Sequence, residues 1–371
     1  MHIAIDVRSL MEGRHSGIEE YTTRIIQAMA QFEPANTYHV FFNSARKVSL
    51  PAFRENVAVH EFRYPNKLLN ASQWLFSAPR WDALLKQHID VVFMPNARLM
   101  PLSYTTPLVT VAHDVSFERF PEFLTTKRRL WHSLMRPRYL LENSDHIIAV
   151  SEYTKQDLIE VYGIHPNTIS VVHPGVADPD VVRPLDVQAV CRQYQLPDRF
   201  LLFMGTLEPR KNIAGVISAF SAIAHRVPHD LVLAGERGWK EKGIARAIAS
   251  SAYADRIHEI GFIEERFKRP LYAAADLFVY PSFYEGFGFP PLEAMLAGTP
   301  AVVSFNSSLP EVVGKWATLV DPYDTAQIAA VLEELLSPPA RVPLDAQRQI
   351  REEYSWKKAA HQTVDILKSV V

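Results

Sequence analysis

The segment 285–300, EGFGFPPLEAMLAGTP, constrains the fold of this 371-residue chain more than any other part of it. It follows an apolar run of strand character, 276–282, and passes through glycines and a double proline into helix-forming residues, 292–296. Gly298 then supplies a helix stop. The segment therefore predicts a strand, a glycine-rich loop and a helix, in that order.

Two carboxylates, Glu285 and Glu293, stand eight positions apart in this segment, with Gly286 and Gly288 between them. The start of a helix offers backbone N–H groups that suit an anionic group such as a phosphate. Carboxylates do not suit a phosphate, but they accept hydrogen bonds from hydroxyls, which sugars and riboses carry in number. The residues therefore predict a nucleotide-sugar site.

The pair Glu285-x7-Glu293, beside Gly286-Phe287-Gly288, resembles the signature of the retaining glycosyltransferases of family 4. The resemblance extends over about residues 1–370. It implies the GT-B fold, an α/β architecture of two Rossmann-like doubly wound domains that face each other across a cleft. It also implies that Glu285 contacts the transferred sugar, that Glu293 contacts the ribose, and that the loop between them binds the donor.

Composition narrows the class of protein without identifying it. The length allows two domains, and the net charge of −2 gives no general attraction to nucleic acid. Cys191 is the only cysteine, which excludes an intramolecular disulfide and a cysteine metal cluster and favours a reducing cytoplasm. We expect no signal peptide and no membrane-spanning helix.

Short apolar runs alternate with amphipathic stretches through most of the chain, which predicts parallel sheets covered on both faces. The predicted strands are 3–5, 38–42, 57–62, 91–94, 108–112, 146–150, 169–172, 201–205, 231–235, 257–260, 277–281 and 301–304. The alternation breaks at a proline-containing stretch, 178–197. We expect an acceptor domain over 1–177, a linker over 178–197 and a nucleotide-sugar domain over 198–350.

The tail, 351–371, contains a Ser355-Trp356 pair before a helical pattern. In family 4 such a pair precedes a helix that crosses back to the first domain, and the resemblance assigns this role to Trp356. An ordinary C-terminal helix with Trp356 in its core fits the segment equally well.

Two adjacent cations, Arg210 and Lys211, follow the predicted strand that ends at Gly205. A pyrophosphate requires cations, and this pair supplies a planar fork and a point charge. The pair resembles the donor-phosphate position of family 4, which implies donor contacts for Gly205, Arg210 and Lys211 and a catalytic role for both cations. Glu208 is placed to orient Arg210 by a salt bridge.

The first half offers weaker candidates. His113 stands at the end of a predicted strand, where the family has a catalytic histidine near the anomeric centre, and Asp114 beside it is a candidate for the acceptor side. The loop before the first helix is glycine-rich in the family, which implies a donor contact for Gly17. Gly13 also stands in this loop, but Glu19 occupies a position where many relatives have glycine.

No residue pattern supports a bound metal or cofactor. Asp178-x-Asp180 resembles the metal motif of the other glycosyltransferase fold, but it lies in the expected linker with no buried strand before it. The 14 histidines show no metal-ligand spacing. We therefore expect an enzyme that requires no metal.

The stretch 119–141 carries six basic residues and one acidic residue, Glu122, with leucines and aromatics between them. A cationic helix with an apolar face suits an anionic membrane surface. A core-facing helix with a solvated basic face fits the stretch equally well. The first alternative predicts a cytoplasmic protein bound peripherally at the inner membrane.

The family resemblance implies retaining transfer of a hexose from a nucleotide sugar to a saccharide or lipid-linked acceptor. The segments as a group resemble mannosyltransferases of bacterial surface polysaccharides such as lipopolysaccharide, so GDP-mannose is the expected donor. Two alternatives are a nucleotide-sugar 2-epimerase of the GT-B fold and a non-catalytic nucleotide-sugar-binding protein. The sequence leaves the base, the acceptor, the linkage, the oligomeric state and the route to retention open.

Overall fold

The computed structural model describes residues 1–11, 17–44, 48, 50–129, 136–176, 183–239, 242–338 and 340–371. These residues form two compact units. The first unit comprises Met1–Glu118, Thr126–Gly175 and Tyr354–Val371. The second unit comprises Arg119–Thr125 and Val176–Glu353. Each unit is therefore built from more than one segment of the chain.

The strands, in chain order, are β1 (His2–Asp6), β2 (Thr37–Asn43), β3 (Val57–Phe62), β4 (Val91–Met94), β5 (Leu108–Ala112), β6 (His146–Ala149), β7 (Ile169–Val171), β8 (Phe200–Met204), β9 (Asp230–Ala234), β10 (Ile257–Gly261), β11 (Leu277–Tyr280), β12 (Ala301–Ser304) and β13 (Thr318–Val320).

The α-helices whose bounds the structure gives are α1 (Gly17–Phe32), α2 (Asn66–Phe76), α3 (Trp81–Leu84), α4 (Ser116–Arg119), α5 (Pro137–Glu142), α6 (Glu152–Tyr162), α7 (Pro184–Tyr194), α8 (Ile213–Ile223), α9 (Lys242–Ala249), α10 (Glu265–Ala274), α11 (Phe289–Leu296), α12 (Leu309–Val313), α13 (Thr325–Leu335), α14 (Leu344–Glu353) and α15 (Trp356–Ser369).

Each unit contains one parallel sheet. The first unit has the order β3-β2-β1-β4-β5-β6-β7, and the second has β10-β9-β8-β11-β12-β13. In both, the chain moves outward from the first strand on one side and then continues on the other side. Such a reversal creates a crevice at the carboxyl ends of the two central strands, where open α/β sheets bind ligands. The binding edges are therefore the ends of β1 and β4, and of β8 and β11.

The central strands are apolar because helices cover both of their faces. All four residues of β11, LFVY, are buried, as are all five of β8, FLLFM. Continuous apolar runs of this kind are typical of strands inside a doubly wound sheet. The GT-B architecture of two Rossmann-like domains, predicted from the sequence, agrees with these two sheets.

Twelve of the strands were predicted from apolar runs, most of them to within one residue at either end. The sequence analysis missed β13, which has three residues and an exposed leucine in its centre. So short a segment shows no periodicity. Helix α6 begins and ends as its sequence predicts, because the Ser151 hydroxyl accepts from the Thr154 N–H at 3.0 Å and Gly163 ends the helix in a left-handed conformation.

The stretch expected to link the domains is partly helical. Helix α7 begins at Pro184, and the carboxylate of Asp186 accepts the backbone N–H of Arg183 at 3.0 Å. Proline is favoured in the first turn of a helix, so it starts a helix here instead of interrupting one. Helix α7 belongs to the second unit, and the tail from Tyr354 belongs to the first.

Helix α15 packs within the first unit. Its Trp356 ring lies 5.8 Å from that of Tyr21 on α1, and His361 contacts Glu33 at 2.6 Å. A Cβ on Gly175 would lie 2.3 Å from the Trp356 backbone nitrogen. Only glycine therefore allows the chain to approach the start of α15 at this point.

The expectation of one continuous helix over 119–141 is wrong for the residues that the structure describes. The chain there forms the end of α4, a 3-10 turn at Pro121–Phe123, helical residues at 126–129 and, after residues 130–135, which lie outside the described part, helix α5. The stretch also divides between the two units, since Arg119–Thr125 belongs to the second. Pro121 and Pro137 each begin a new element, which explains why the stretch does not form one continuous helix.

Candidate functional site

The two cations predicted to bind phosphate lie at the carboxyl end of β8. Gly205 follows the strand, and Arg210 and Lys211 lie in a 3-10 turn, Pro209–Lys211. The loop after β9 binds the loop after β8, because the Leu207 N–H donates to the Glu236 carbonyl at 2.9 Å. A Cβ on Gly235 would lie 2.0 Å from the Gly205 carbonyl oxygen, so glycine is required where the loops meet.

Glu285 and the two cations form one buried cluster. Lys211 Nζ lies 2.5 Å from Glu285 Oε1, and an Arg210 nitrogen lies 3.1 Å from Glu285 Oε2. The Arg210 guanidinium also contacts Glu208 at 2.8 Å, which confirms the predicted salt bridge. The positive charges of Arg210 and Lys211 are thus neutralised by the negative charges of Glu208 and Glu285. Residues 74 positions apart in sequence meet because β8 and β11 are adjacent.

Glu285 is ionised in this cluster. Burial by itself would raise the pKa of its carboxyl group, but the charges of Arg210 and Lys211 outweigh burial and lower the pKa to about 2. Burial lowers the pKa of Lys211, and Arg210 acts in the same direction, while Glu285 opposes both. Glu285 therefore offers a charged acceptor for hydroxyl groups at neutral pH.

Tyr280, the last residue of β11, contacts the ammonium group of Lys211. Lys211 Nζ donates to the Tyr280 hydroxyl and lies 4.9 Å from the centre of its ring. Burial raises the pKa of Tyr280 well above its ordinary value, and Glu285 adds to this effect. Tyr280 therefore stays neutral and holds the ammonium group through its oxygen and its ring face.

The loop after Glu285 is held by two serines. The Glu285 N–H donates to the Ser307 hydroxyl at 3.0 Å. The Ser308 hydroxyl donates to the carbonyls of Glu285 and Phe287, each at 2.9 Å. Gly288 has a φ of 106°, a conformation that favours glycine, and a Cβ there would lie 2.6 Å from a Leu309 methyl group. The backbone of residues 285–288 is thus fixed.

Helix α11 begins after Gly288, but it offers fewer N–H groups than its position suggests. Pro290 and Pro291 occupy its first turn and carry no N–H, which leaves Phe289 as the N–H donor among the first three residues of the helix. The helix start is therefore a weaker anion site than the sequence analysis assumed, and the side-chain cations carry more of the charge.

Glu293 lies on α11, half-buried, and accepts a hydrogen bond from the Tyr272 hydroxyl at 2.8 Å. The structure thus places Glu285 in a cluster with two cations and gives Glu293 a hydrogen bond from a tyrosine, although both belong to the same sequence signature.

In the first unit, His113 follows β5 at the carboxyl edge of the sheet. Its Nε2 donates to the Pro95 carbonyl at 2.7 Å, and its ring packs edge-on against Tyr21 at 4.9 Å. Burial lowers the pKa of His113, although the Pro95 carbonyl and Asp114 oppose this. The side chain is therefore neutral, and the bond to Pro95 leaves Nδ1 as the acceptor.

The other first-unit candidates lie in different surroundings. Asp114 accepts from the N–H and the hydroxyl of Ser116, at 2.9 and 2.8 Å, and so caps the short helix α4. Gly17 is the exposed first residue of α1. Gly13, Asp178 and Asp180 lie outside the described residues.

A buried ion pair at the end of β1 was not predicted from the sequence. The Arg8 guanidinium contacts the Asp6 carboxylate at 2.7 Å, lies 4.9 Å from the Trp81 ring and donates to the Leu99 carbonyl. An acid and a base two positions apart, directly after a buried strand, are the available signal. Tyr280, Ser307 and Ser308 gave no signal, since single tyrosines and serines are common.

A pocket of about 460 Å³ lies at the carboxyl ends of β9 and β10. It is lined by Gly235, Glu236, Arg237, Glu259, Gly261 and Phe262. Adjacent strands lie about 4.8 Å apart, so β10 is roughly 10 Å from β8 along the same edge. The pocket and the cation cluster therefore share one edge of the second sheet.

Neither a metal centre nor a membrane span is found among the residues that the structure describes. Histidine, cysteine, aspartate and glutamate side chains do not gather there in groups of three that could hold a metal ion. In the same residues, no helix has the length and apolar character needed to cross a bilayer.

Comparison with known families matches both halves of the chain. Residues 192–355 match the glycosyl transferases group 1, and residues 15–178 match Glycosyltransferase Family 4.

Among curated proteins, the O-antigen chain mannosyltransferase B of Escherichia coli is 32% identical over 273 residues, which cover 70% of each chain. The serotype-specific mannosyltransferase WbdA of Escherichia coli is 30% identical over 272 residues, which cover 69% of this chain and 33% of WbdA. The chain thus spans about a third of WbdA.

Among solved structures, sucrose-phosphate synthase from Thermosynechococcus elongatus has a TM-score of 0.78 at 19% identity, over 100% of this chain and 99% of the other. Anabaena HepE in complex with UDP-glucose has a TM-score of 0.73 at 19% identity, with both chains fully covered. At this identity the likeness shows a shared fold.

Proposed function

The chain belongs to the group 1 glycosyltransferases of family 4, and on this premise we propose that it transfers mannose from GDP-mannose, with retention, to an acceptor in bacterial surface glycan synthesis. The acceptor is the hydroxyl of a lipid-linked or free oligosaccharide. The observation that carries the proposal is the buried cluster of Arg210, Lys211 and Glu285 at the carboxyl edge of the second sheet.

The cluster suits a nucleotide-sugar donor because a diphosphate can replace Glu285 as the partner of the two cations. Without a ligand, Glu285 neutralises Lys211 and shares Arg210 with Glu208. A diphosphate brings negative oxygens that compete for the same N–H groups. When the cations turn to these oxygens, the Glu285 carboxylate becomes available to the hydroxyls of the sugar. Binding of the diphosphate and recognition of the sugar are then coupled through a single side chain.

The same cations stabilise the leaving group. As the bond between the sugar and the diphosphate breaks, negative charge grows on the leaving oxygen, and Arg210 and Lys211 are already in place to neutralise it. No metal is needed in this proposal. Glu293 is assigned to the ribose, Gly205, Gly286, Phe287 and Gly288 to the donor-binding loops, and the pocket beside β9 and β10 to the nucleoside.

The first unit supplies His113 in the same proposal. A neutral imidazole with Nδ1 as acceptor can receive a hydrogen bond from a sugar hydroxyl without adding positive charge near the reacting carbon. Gly17 is assigned to the donor and Asp114 to the acceptor side, the latter through the carboxylate that also caps α4.

The mannose assignment draws on the relatives. The two Escherichia coli proteins named above are mannosyltransferases, and the first covers 70% of this chain. We extend their sugar to this protein, together with a cytoplasmic location at the inner membrane, where lipid-linked acceptors are assembled. The basic residues of 119–141 are exposed except for the half-buried Arg128, and Lys127, Arg129 and Arg136 are assigned to contact with anionic lipid.

Turnover with a panel of donors tests the proposal. The protein is incubated with GDP-mannose, UDP-glucose and UDP-N-acetylglucosamine, each with and without an oligosaccharide acceptor, and the release of nucleoside diphosphate is followed. We expect release with GDP-mannose that depends on the acceptor, and an α-linked product by NMR. A new sugar nucleotide formed without acceptor would indicate an epimerase, and nucleotide binding without turnover would indicate a binding protein.

A further inference from the structure

Helix α2 in the first unit presents apolar side chains outward. Leu68 is 68% exposed, Leu75 61% and Phe76 74%, while the helix buries only Leu69 and Gln73. A surface helix of a water-soluble domain normally shows the opposite arrangement, with its polar side outward. A contiguous apolar surface of this kind marks an interaction site.

The exposed side chains lie together because of their spacing. Ala71 and Leu75 follow Leu68 by three and seven positions, so the three side chains form one stripe along the helix. Lys67 and Trp74 are seven apart and form a second stripe beside it. Leu69 and Gln73 face the opposite way, into the unit. The outward side of α2 thus combines Leu68, Leu75 and Trp74 with two polar residues, Lys67 and Asn70.

Two exposed cations, Lys67 and Arg136, lie at this surface, and the sequence of the α2 region contains no acidic residue. From Arg63 to Arg80 there are three basic residues and no aspartate or glutamate. Arg63 pairs with Glu61, whereas Arg136 lies with its guanidinium 5.8 Å from the Trp74 ring and 5.9 Å from the ring of Tyr139, which is 54% exposed. Arg136 therefore joins α2 to a second exposed aromatic on α5.

We propose that this surface, formed by Lys67, Leu68, Trp74, Leu75, Arg136 and Tyr139, docks on an anionic lipid bilayer. The leucines and Trp74 enter the boundary between headgroups and acyl chains, and Lys67 and Arg136 contact the lipid phosphates. Tryptophan and tyrosine suit this boundary because one end of each is apolar and the other polar. The purpose of docking rests on the proposed lipid-linked acceptor, but binding itself does not require sugar transfer.

In the described part of the stretch 119–141, Tyr139 is the aromatic residue that belongs to this surface, and α2 supplies the rest of the apolar contact. Phe120 packs against Tyr284 at 5.4 Å, and Phe123 stacks on Phe283 at 5.6 Å, so both rings are engaged within the second unit. The basic residues near Arg136 then add charge to a surface whose apolar part is α2.

The size of the effect follows from the side chains. Each basic residue near an anionic surface strengthens binding about fivefold, and burial of a leucine side chain strengthens it roughly tenfold or more. The double substitution Leu68→Ser and Leu75→Ser should therefore weaken vesicle binding by roughly a hundredfold, since the two factors multiply. Lys67→Glu with Arg136→Glu should remove the preference for anionic lipid.

Co-sedimentation of the full chain with vesicles tests the proposal. One set contains phosphatidylcholine alone and the other contains added phosphatidylglycerol, both at low ionic strength. The control is Leu344→Ser, which replaces an equally exposed leucine, 77%, in the second unit and should leave binding unchanged. Circular dichroism and binding of GDP check that each variant is folded and that its nucleotide site is intact.

We expect the wild type to sediment with the anionic vesicles, to be released at high salt, and to lose binding in both double variants. Wild type that stays in the supernatant, or a leucine variant that binds as well as wild type, would overturn the proposal. A dimer that dissociates in the leucine variant, without lipid binding in the wild type, would assign the surface to a protein contact instead. If the variants bind GDP as the wild type does, a loss of vesicle binding cannot be due to damage at the donor site.

Discussion

Glu285→Gln offers the most direct test of the buried charge cluster. The substitution keeps the shape of the side chain and removes its charge, so Lys211 and Arg210 lose the carboxylate that they share. Glu285 is only 7% exposed, and solvent therefore screens these interactions weakly. The cost should appear as a lower free energy of unfolding of the second unit.

The magnitude follows from the pKa of Glu285. Burial opposes ionisation, but the two cations prevail and lower the pKa from 4.5 to about 2. At about 1.4 kcal/mol for each pH unit, this difference corresponds to about 3 kcal/mol of stabilisation. Because the folded pKa is the lower one, the stabilisation is present above about pH 4.5 and is lost as the pH falls towards 2.

Urea unfolding at a series of pH values measures this contribution. Circular dichroism follows the transition, fitted with separate steps for the two units because a chain of two domains need not unfold in one step. At pH 7 the variant should be less stable than wild type by about 3 kcal/mol. The difference should narrow below about pH 4.5, where wild-type Glu285 begins to lose its advantage.

Glu333→Gln is the matched control, since Glu333 pairs with Arg226 at 2.6 Å on the surface of the same unit. An exposed pair contributes about 1 kcal/mol or less. Adding Lys211→Met to Glu285→Gln should restore part of the loss, because it removes the cation left without its partner. A Glu285→Gln variant as stable as the control at pH 7, or a difference that stays constant at low pH, would refute the assignment of a buried ionised cluster.

Three further predictions concern ligand binding and catalysis. Arg210→Ala and Lys211→Ala should each weaken binding of GDP roughly tenfold to hundredfold, since each removes charge-assisted hydrogen bonds, and unchanged affinity in the double variant by calorimetry would place the phosphates elsewhere. Glu293→Gln should mainly reduce the affinity for GDP, whereas Glu285→Gln should mainly lower kcat, and equal loss of affinity in both would remove this distinction. Transfer should continue in excess EDTA, and an absolute requirement for Mn²⁺ or Mg²⁺ would contradict stabilisation of the leaving group by side chains alone.

The sequence by itself determined the architecture. Apolar runs such as LFVY before Glu285 identify buried strands because a strand covered on both faces cannot carry polar residues. Alternation with helices then implies parallel sheets. Local signals failed where elements are too short to show a period, as at β13, or where proline begins an element instead of ending one, as at Pro184.

The sequence also identified the charged residues of the candidate site, since Arg210, Lys211 and Glu285 each follow a predicted strand. It could not supply their arrangement. Contact between Lys211 and Glu285 requires β8 and β11 to be neighbours, and strand order depends on how helices cover the sheet and not on any local pattern.

Only the tertiary structure decided which side chains support the site and which side chains remain exposed. Tyr280 beneath Lys211 could not be recognised beforehand, because its role depends on a residue 69 positions away. Leu68 and Leu75 lie on the outside of α2 because Leu69 and Gln73 are the residues of that helix that pack inward. Periodicity shows that a helix has faces, but the side that is buried depends on what the rest of the chain places against it.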